Sequence, residues 1–286
     1  MEVRTHDDPA AWLEAVLPLL MLDEARHDLH LGLAHTLVHH PSVYPAKRLW
    51  SVEDAGTAVG AALQTPPHNV ILAQPAAEGA NDLLAEAIAS AGIDLPGIIG
   101  GLPEAEAFGS AWCARTGDTA RRVMGQGIYA LTEVSDVPAA AGTSRTATPD
   151  DLELVAGWIQ DFQDEVVPDA LRSDPAERRR RLATILGSDE EGISLWEAEA
   201  EVVSLSGFGG PTPNGIRIGP VYTPPGHRGR GYATTLVADL SRRQLARGRR
   251  FCFLHTDLAN PTSNAIYRRI GYRRVCDSVV LAFERA

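Results

Sequence analysis

Apolar positions along this chain switch repeatedly between helical spacing and strand-like runs, and the order of the switches predicts the elements. In the second half, Thr148-Pro149-Asp150-Asp151 supplies an N-cap, a first-turn proline and first-turn acids, after which Leu152, Val155, Ile159 and Phe162 trace one helical face. A second helix starts at Asp174-Pro175-Ala176-Glu177. Residues 193–198 and 202–208 read as a strand pair around a short acidic turn, and 216–223 as a third strand stopped by Pro224-Pro225. Residues 229–247 are predicted helical, 251–256 a buried strand, 263–270 a short helix and 272–283 the last strands.

The first half shows a looser version of this order. Helical patterns span residues 9–40, strands are expected at 48–53, 58–64 and 70–73, then a helix at 80–91, a strand near 93–99, a helix at 104–116 and a strand at 122–131. Repetition of the order marks a candidate duplication. Between the halves, 134–150 is rich in Ala, Pro, Ser, Thr and Gly and lacks apolar periodicity, which reads as a linker. The expected fold class is α/β of the α+β kind, two tandem mixed-sheet domains at residues 1–134 and 148–286 joined by 135–147.

Composition adds little to this picture. Hydrophobic residues at 44% and charged residues at 22% are those of an ordinary globular chain. No apolar run approaches the ~20 residues of a membrane helix, and the N-terminus has no secretory core, so a cytoplasmic location without membrane association is expected. Cys113, Cys252 and Cys276 suggest neither a disulfide framework nor a zinc site and read as small buried hydrophobes. His35 and His39 have the i, i+4 spacing of metal ligands, but no glutamate or third ligand accompanies them and no metal is expected.

Charge changes the picture more. The net charge of -11 is uneven: residues 1–141 carry all of it with 7 basic and 18 acidic groups, and in the rest 142–216 hold 6 basic and 15 acidic groups, whereas 217–286 hold 13 basic and 4 acidic. Such asymmetry suits a protein that holds an anion in one place and draws a cation to another. Nucleic acid is disfavoured, because the overall field repels phosphate backbones and no basic stripe with interleaved aromatics is present.

The candidate chemistry lies in the basic part. Val221-Tyr222-Thr223-Pro224-Pro225-Gly226-His227-Arg228-Gly229-Arg230-Gly231-Tyr232-Ala233 joins a strand to a helix through a glycine-rich turn. Gly229 and Gly231 permit close backbone approach, free amides and the positive end of the helix dipole point at whatever binds, and Arg228 and Arg230 add charge, all of which favours a pyrophosphate. Further on, Thr256-Asp257-Leu258-Ala259-Asn260 leads into Ser263-Asn264-Ala265-Ile266-Tyr267 and closes at Gly271-Tyr272.

The spacing Arg-x-x-Gly-x-Ala from Arg228 to Ala233, followed by the Asn turn and Tyr-bearing helix, resembles the coenzyme A signature of the GNAT superfamily of N-acetyltransferases over about residues 145–283; the first half matches only in element order. The resemblance implies two tandem GNAT-like domains, the first degenerate. It implies acetyl-CoA as acetyl-donor substrate, with the backbone of Val221, Tyr222 and Thr223 pairing with the pantetheine amides. Amides from Gly229, Arg230, Gly231, Tyr232, Ala233 and Thr234 would hold the pyrophosphate, and Asn260 would bond the pantetheine arm. Tyr267 takes the position of the family's usual acid, and His255 lies where some members place a basic glutamate; Glu165, Glu197 and Glu199 compete for that role. The acceptor is expected to be a primary amine of a small molecule or peptide. The first domain, whose corresponding turn reads Gln74-Pro75-Ala76-Ala77-Glu78-Gly79-Ala80-Asn81-Asp82, is expected to act as scaffold, acceptor wall or homodimer surface. The rival reading is a catalytically silent coenzyme A-binding sensor or interaction module.

Overall fold

A computed structural model describes residues 1–188 and 190–285; Asp189, Ala286 and the side chain of Ala170, all within the second predicted domain, lie outside the described residues. The chain divides into two compact units, one of Met1–Ile128 with Thr256–Ala259 and Arg274–Ala286, the other of Tyr129–His255 with Asn260–Arg273. The division falls near residue 128 rather than 134, and the terminal segment counts with the first unit although its sequence follows the second.

In chain order the first unit's elements are β1 (Glu2–His6), α1 (Pro9–Leu20), α2 (Asp28–His39), β2 (Arg48–Asp54), β3 (Thr57–Gln64), β4 (Val70–Leu72), α3 (Ala80–Ser90), β5 (Gly97–Gly101), α4 (Glu104–Thr116) and β6 (Thr119–Leu131), the last running into the second unit from Tyr129. Then follow β7 (Thr143–Thr146), α5 (Leu152–Val166), α6 (Pro175–Ile185), β8 (Gly192–Ala198), β9 (Glu201–Gly209), β10 (Gly215–Tyr222), α7 (Tyr232–Ala246), β11 (Phe251–Asp257), α8 (Pro261–Ile270) and β12 (Arg273–Glu284). Both halves read strand, two helices, three strands, helix, strand, helix, strand. The two halves thus repeat one order of elements.

Within the first unit the strands lie in the order β1-β2-β3-β4-β5-β12-β6. The last strand of the sequence, β12, pairs antiparallel with β5, Val279 opposite Gly100 and Leu281 opposite Ile98. Alternation sorts the side chains to two cores: Leu49 joins Trp12, Val16 and Leu37 under α1 and α2, whereas Trp50 and Val52 join Leu84, Phe108 and Trp112 under α3 and α4. Each large side chain so enclosed contributes about 1.5–3 kcal/mol over leaving it exposed.

In the second unit the order is β11-β10-β9-β8-β7. Ile193 and Leu195 of β8 face α5 and α6, packing with Val155, Ile159 and Leu182. Trp196 and Ala198 turn the other way, to Tyr232 and Leu236 of α7. The predicted 135–147 stretch is bound along this unit: Ser135 N–H donates to Ile270 O (2.8 Å), Ala140 N–H to Thr235 Oγ1 (2.9 Å), Trp196 Nε1–H to Ala141 O (3.1 Å), and β7 pairs with β8. Thr148 and Asp151 then form a reciprocal capping box before α5, a motif of about 1 kcal/mol. Of the cysteines only Cys252 is buried; Cys113 and Cys276 are half-buried. Among the described residues no helix is long and apolar enough to cross a membrane.

Candidate donor and transfer site

The site begins where two parallel strands part. β10 pairs with β11 at Gly215–Phe251, Ile216–Cys252 and Arg217–Phe253, and among the described residues the ladder goes no further, although β10 runs on to Tyr222 and β11 to Asp257. On its other edge β10 stays paired to β9 through Val221–Ser206 and Tyr222–Leu205, after a register shift between Ile218 and Val221. That shift inverts the alternation. Ile216, Ile218 and then Val221 all pack on the α7 and α8 side, while Tyr222 turns to the α5 side. One edge of residues 218–222 is thereby left open beside β11.

From this edge the chain enters a turn at Pro225–His227 and then Gly229 (φ +77°) and Gly231 (φ +82°), both left-handed. A Cβ at Gly229 would meet nothing within 4 Å, and one at Gly231 only the Ala140 Cβ at 3.8 Å, so it is backbone conformation and clear space, not crowding, that these glycines serve. Gly231 caps α7 without any side chain on the first-turn amides, no acid stands in that turn, and the helix runs 15 residues. Amides of Tyr232, Ala233 and Thr234 therefore face an anion-ready space. The Tyr232 and Thr234 side chains are themselves buried. Arg230 is exposed and has no charged partner among the described residues. Arg228 is engaged: Nη2–H donates to Glu165 Oε2 (2.6 Å), Nε–H to Thr223 O (2.9 Å), and the guanidinium lies 5.7 Å from the Tyr222 ring centroid.

Tyr267 on α8 packs in the same apolar cluster as Val221 and Leu254. Among the described residues its hydroxyl has no hydrogen-bond partner, and burial pushes its pKa up to about 12. The group is a donor and never a base near neutral pH. Asn260 Oδ1 accepts from Ser263 N–H (3.0 Å) and so caps α8, which commits its oxygen and leaves the amide nitrogen for any role toward a ligand.

The base candidates separate by geometry. His255 is half-buried on β11; Cys252 and Leu254 pack toward Tyr267, so alternation puts His255 on the opposite face, the side to which Tyr222 turns. Glu197 is paired with Arg145 (2.6 Å), which also holds Asp151, and that guanidinium keeps the Asp151 carboxyl down to about 2. Glu199 sits at the exposed β8–β9 turn with φ +53°. Glu165 binds both Arg228 and the Tyr222 hydroxyl (3.0 Å), and with burial this raises the Tyr222 pKa to about 12. The linkage of Glu165 to Arg228 is the feature that sequence reading missed: residues 63 positions apart leave no spacing signal.

In the first unit the corresponding turn keeps only Gly79 (φ +79°) as helix cap, and Asp82 stands in the first turn of α3. The Gln74 N–H just beyond β4 is already taken by His27 Nε2 (3.0 Å). The rings of His35 and His39 on α2 lie tilted at 45° with centroids 4.4 Å apart, and among the described residues no group of three or more His, Cys, Asp or Glu side chains could hold a metal ion.

Residues 212–280, which span this site, match the family described as FR47-like protein. No curated protein matches the sequence significantly. Similar solved structures include a GCN5-related N-acetyltransferase from Sphaerobacter thermophilus (16% identity, TM-score 0.62, covering 98% of this chain and 94% of that one). A GNAT-family acetyltransferase from Colwellia psychrerythraea is 11% identical with TM-score 0.60 and full coverage of both chains. A tandem GNAT protein from the clavulanic acid biosynthesis pathway is 16% identical with TM-score 0.56, covering 99% of this chain and 98% of its own. At such identities the likeness is one of fold. The chain has the fold of a tandem GNAT protein along its whole length, and its residues 212–280 match the FR47-like family.

Proposed function

We propose that the second unit transfers an acetyl group from acetyl-CoA directly to a primary amine of a small molecule or peptide. The observation that carries this reading is the parting of β10 from β11 after three pairs, with the open edge leading through the Pro225–His227 turn to a start of α7 whose first-turn amides bear no side-chain cap. An extended arm bearing amides would add to that edge as a strand does, and its pyrophosphate would meet the Gly229 to Thr234 backbone. In the transfer the neutral amine attacks the thioester carbon, the carbon–sulfur bond breaks, and the departing thiolate takes a proton from the Tyr267 hydroxyl. A base on the opposite face, His255, accepts the proton of the attacking amine.

The acidic 142–216 segment favours an acceptor that is cationic in solution, so rates at low acceptor concentration should fall as salt is added. The test is thiol release from acetyl-CoA across a panel of amines and peptides, with the product's added acetyl group located by mass. Tight donor binding without turnover on any acceptor would leave the silent coenzyme A-binding module. Absence of donor binding would remove both readings.

A further inference from the structure

Just past the open edge of β10, at Thr223, a backbone carbonyl is taken by the chain's own arginine. The Tyr222 carbonyl accepts from Ser204 Oγ of β9 (3.1 Å), so alternation along an extended backbone turns the next carbonyl, that of Thr223, toward the open side. There it accepts from Arg228 Nε–H. An incoming amide donor would need the same carbonyl. The arginine is held from three directions, by the Thr223 carbonyl, by the Glu165 carboxylate and by the face of the Tyr222 ring, whose hydroxyl in turn donates to Glu165. Glu165 lies at the end of α5, far from the turn in sequence, and nothing in the packing of the α5 core requires it to reach there: its side chain is 38% exposed.

We infer that Glu165 and Arg228 form a latch over the donor strand, Glu165 holding Arg228 on the Thr223 carbonyl until the phosphates of acetyl-CoA draw the guanidinium away. This rests on the donor reading proposed above. The latch makes Glu165 a competitor of the donor's phosphates for one cation. It also frees the Glu165 carboxylate of its cation only once the donor is seated, which orders the binding of donor before a cationic acceptor on that face.

Calorimetric titration of the full chain with acetyl-CoA tests it. Exposed ion pairs of this kind shift an equilibrium by up to about five-fold, so Glu165→Gln should bind acetyl-CoA about 2- to 5-fold more tightly than the unaltered protein. In an Arg228→Met background the same change should have no effect, a coupling that a merely structural Glu165 would not show. Unchanged or weaker binding in Glu165→Gln, or tightening that persists without Arg228, overturns the latch. Should Glu165→Gln fail to fold, Tyr222→Phe, which deletes one of the bonds steadying Glu165, should give a smaller tightening of the same sign, and none would overturn the proposal equally. If the unaltered protein binds no acetyl-CoA, the donor reading fails and the latch falls with it; donor binding that ignores Glu165 sinks the latch alone.

Discussion

The rings of Tyr267 and Tyr272 meet edge to face with centroids 6.0 Å apart, but their hydroxyls differ: Tyr272 is bonded to Ser241 Oγ at 2.9 Å, while Tyr267 has no partner among the described residues. Two neighbouring phenols of the same cluster thus differ in whether the hydroxyl is engaged, and substituting each in turn tells the two apart. Tyr272→Phe should lower stability by about 1 kcal/mol and leave turnover intact. Tyr267→Phe should keep donor binding while turnover falls about 10- to 10,000-fold. Full activity in Tyr267→Phe would reduce that residue to packing. With its pKa near 12, Tyr267 should impose no basic limb on the rate profile below about pH 11.

Gly231 has φ +82° with open space around it. Gly231→Val should therefore cost about 1–2 kcal/mol in backbone strain without unfolding the chain, and should abolish acetyl-CoA binding by crowding the phosphate. Gly248, left-handed at φ +96° and also unhindered, is the control. Gly248→Val should melt at a comparably lowered temperature yet bind donor normally. Equal donor affinity in both variants would take the glycine turn out of the site.

Calorimetry should find one acetyl-CoA site per chain. In the first unit the amide after β4 is bonded to His27, and Glu78 and Asp82 flank the start of α3 where the other turn carries Arg228 and Arg230, so this copy of the turn repels an anion. Two equal sites would contradict this account of Gln74 to Asp82.

His30 is enclosed in the first unit, and burial, with His27 nearby, lowers its pKa from 6.5 to about 3. Between these values the unfolded chain binds a proton that the folded chain excludes. His30 thus favours unfolding progressively as pH falls from about 6.5 towards 3, a loss of up to a few kcal/mol. His30→Phe should flatten the stability profile over that window, measured by denaturant titration at several pH values. An identical slope in the variant would show that other groups set it.

His255→Gln keeps polarity and approximate size but cannot accept a proton near neutrality, so the acidic limb of the rate profile should vanish with most of the activity. Survival of that limb, with its loss in Glu165→Gln, Glu197→Gln or Glu199→Gln, would assign the base to a carboxylate.

Elements defined by side-chain period were legible in the sequence. Helix α4 falls on residues 104–116 as its pattern predicts, and α6 starts at Pro175 behind its Asp174 cap. Elements defined by backbone partners were not. Strand β7 lies in an Ala- and Gly-rich stretch and is held by its ladder to β8, and the mostly exposed β1 by its ladder to β2. Strand β5, expected near 93–99, occupies Gly97–Gly101, because glycine is disfavoured in strands unless a neighbour leaves no room. Here a Cβ at Gly97 would stand 2.1 Å from Leu281 O. In the site, the glycine turn and the tyrosine helix carried local signatures, whereas the Glu165–Arg228 pair exists only through folding.

Because β12 supplies a central strand to the unit built mainly from the first 128 residues, that unit cannot close its sheet until synthesis has passed residue 284. A nascent or truncated chain ending before Arg273 presents β5 and β6 as bare edges, each a template for pairing with another molecule. Cutting the gene between its two repeats would accordingly yield an aggregating N-terminal fragment, and adding residues 273–285 back as a peptide should restore its solubility.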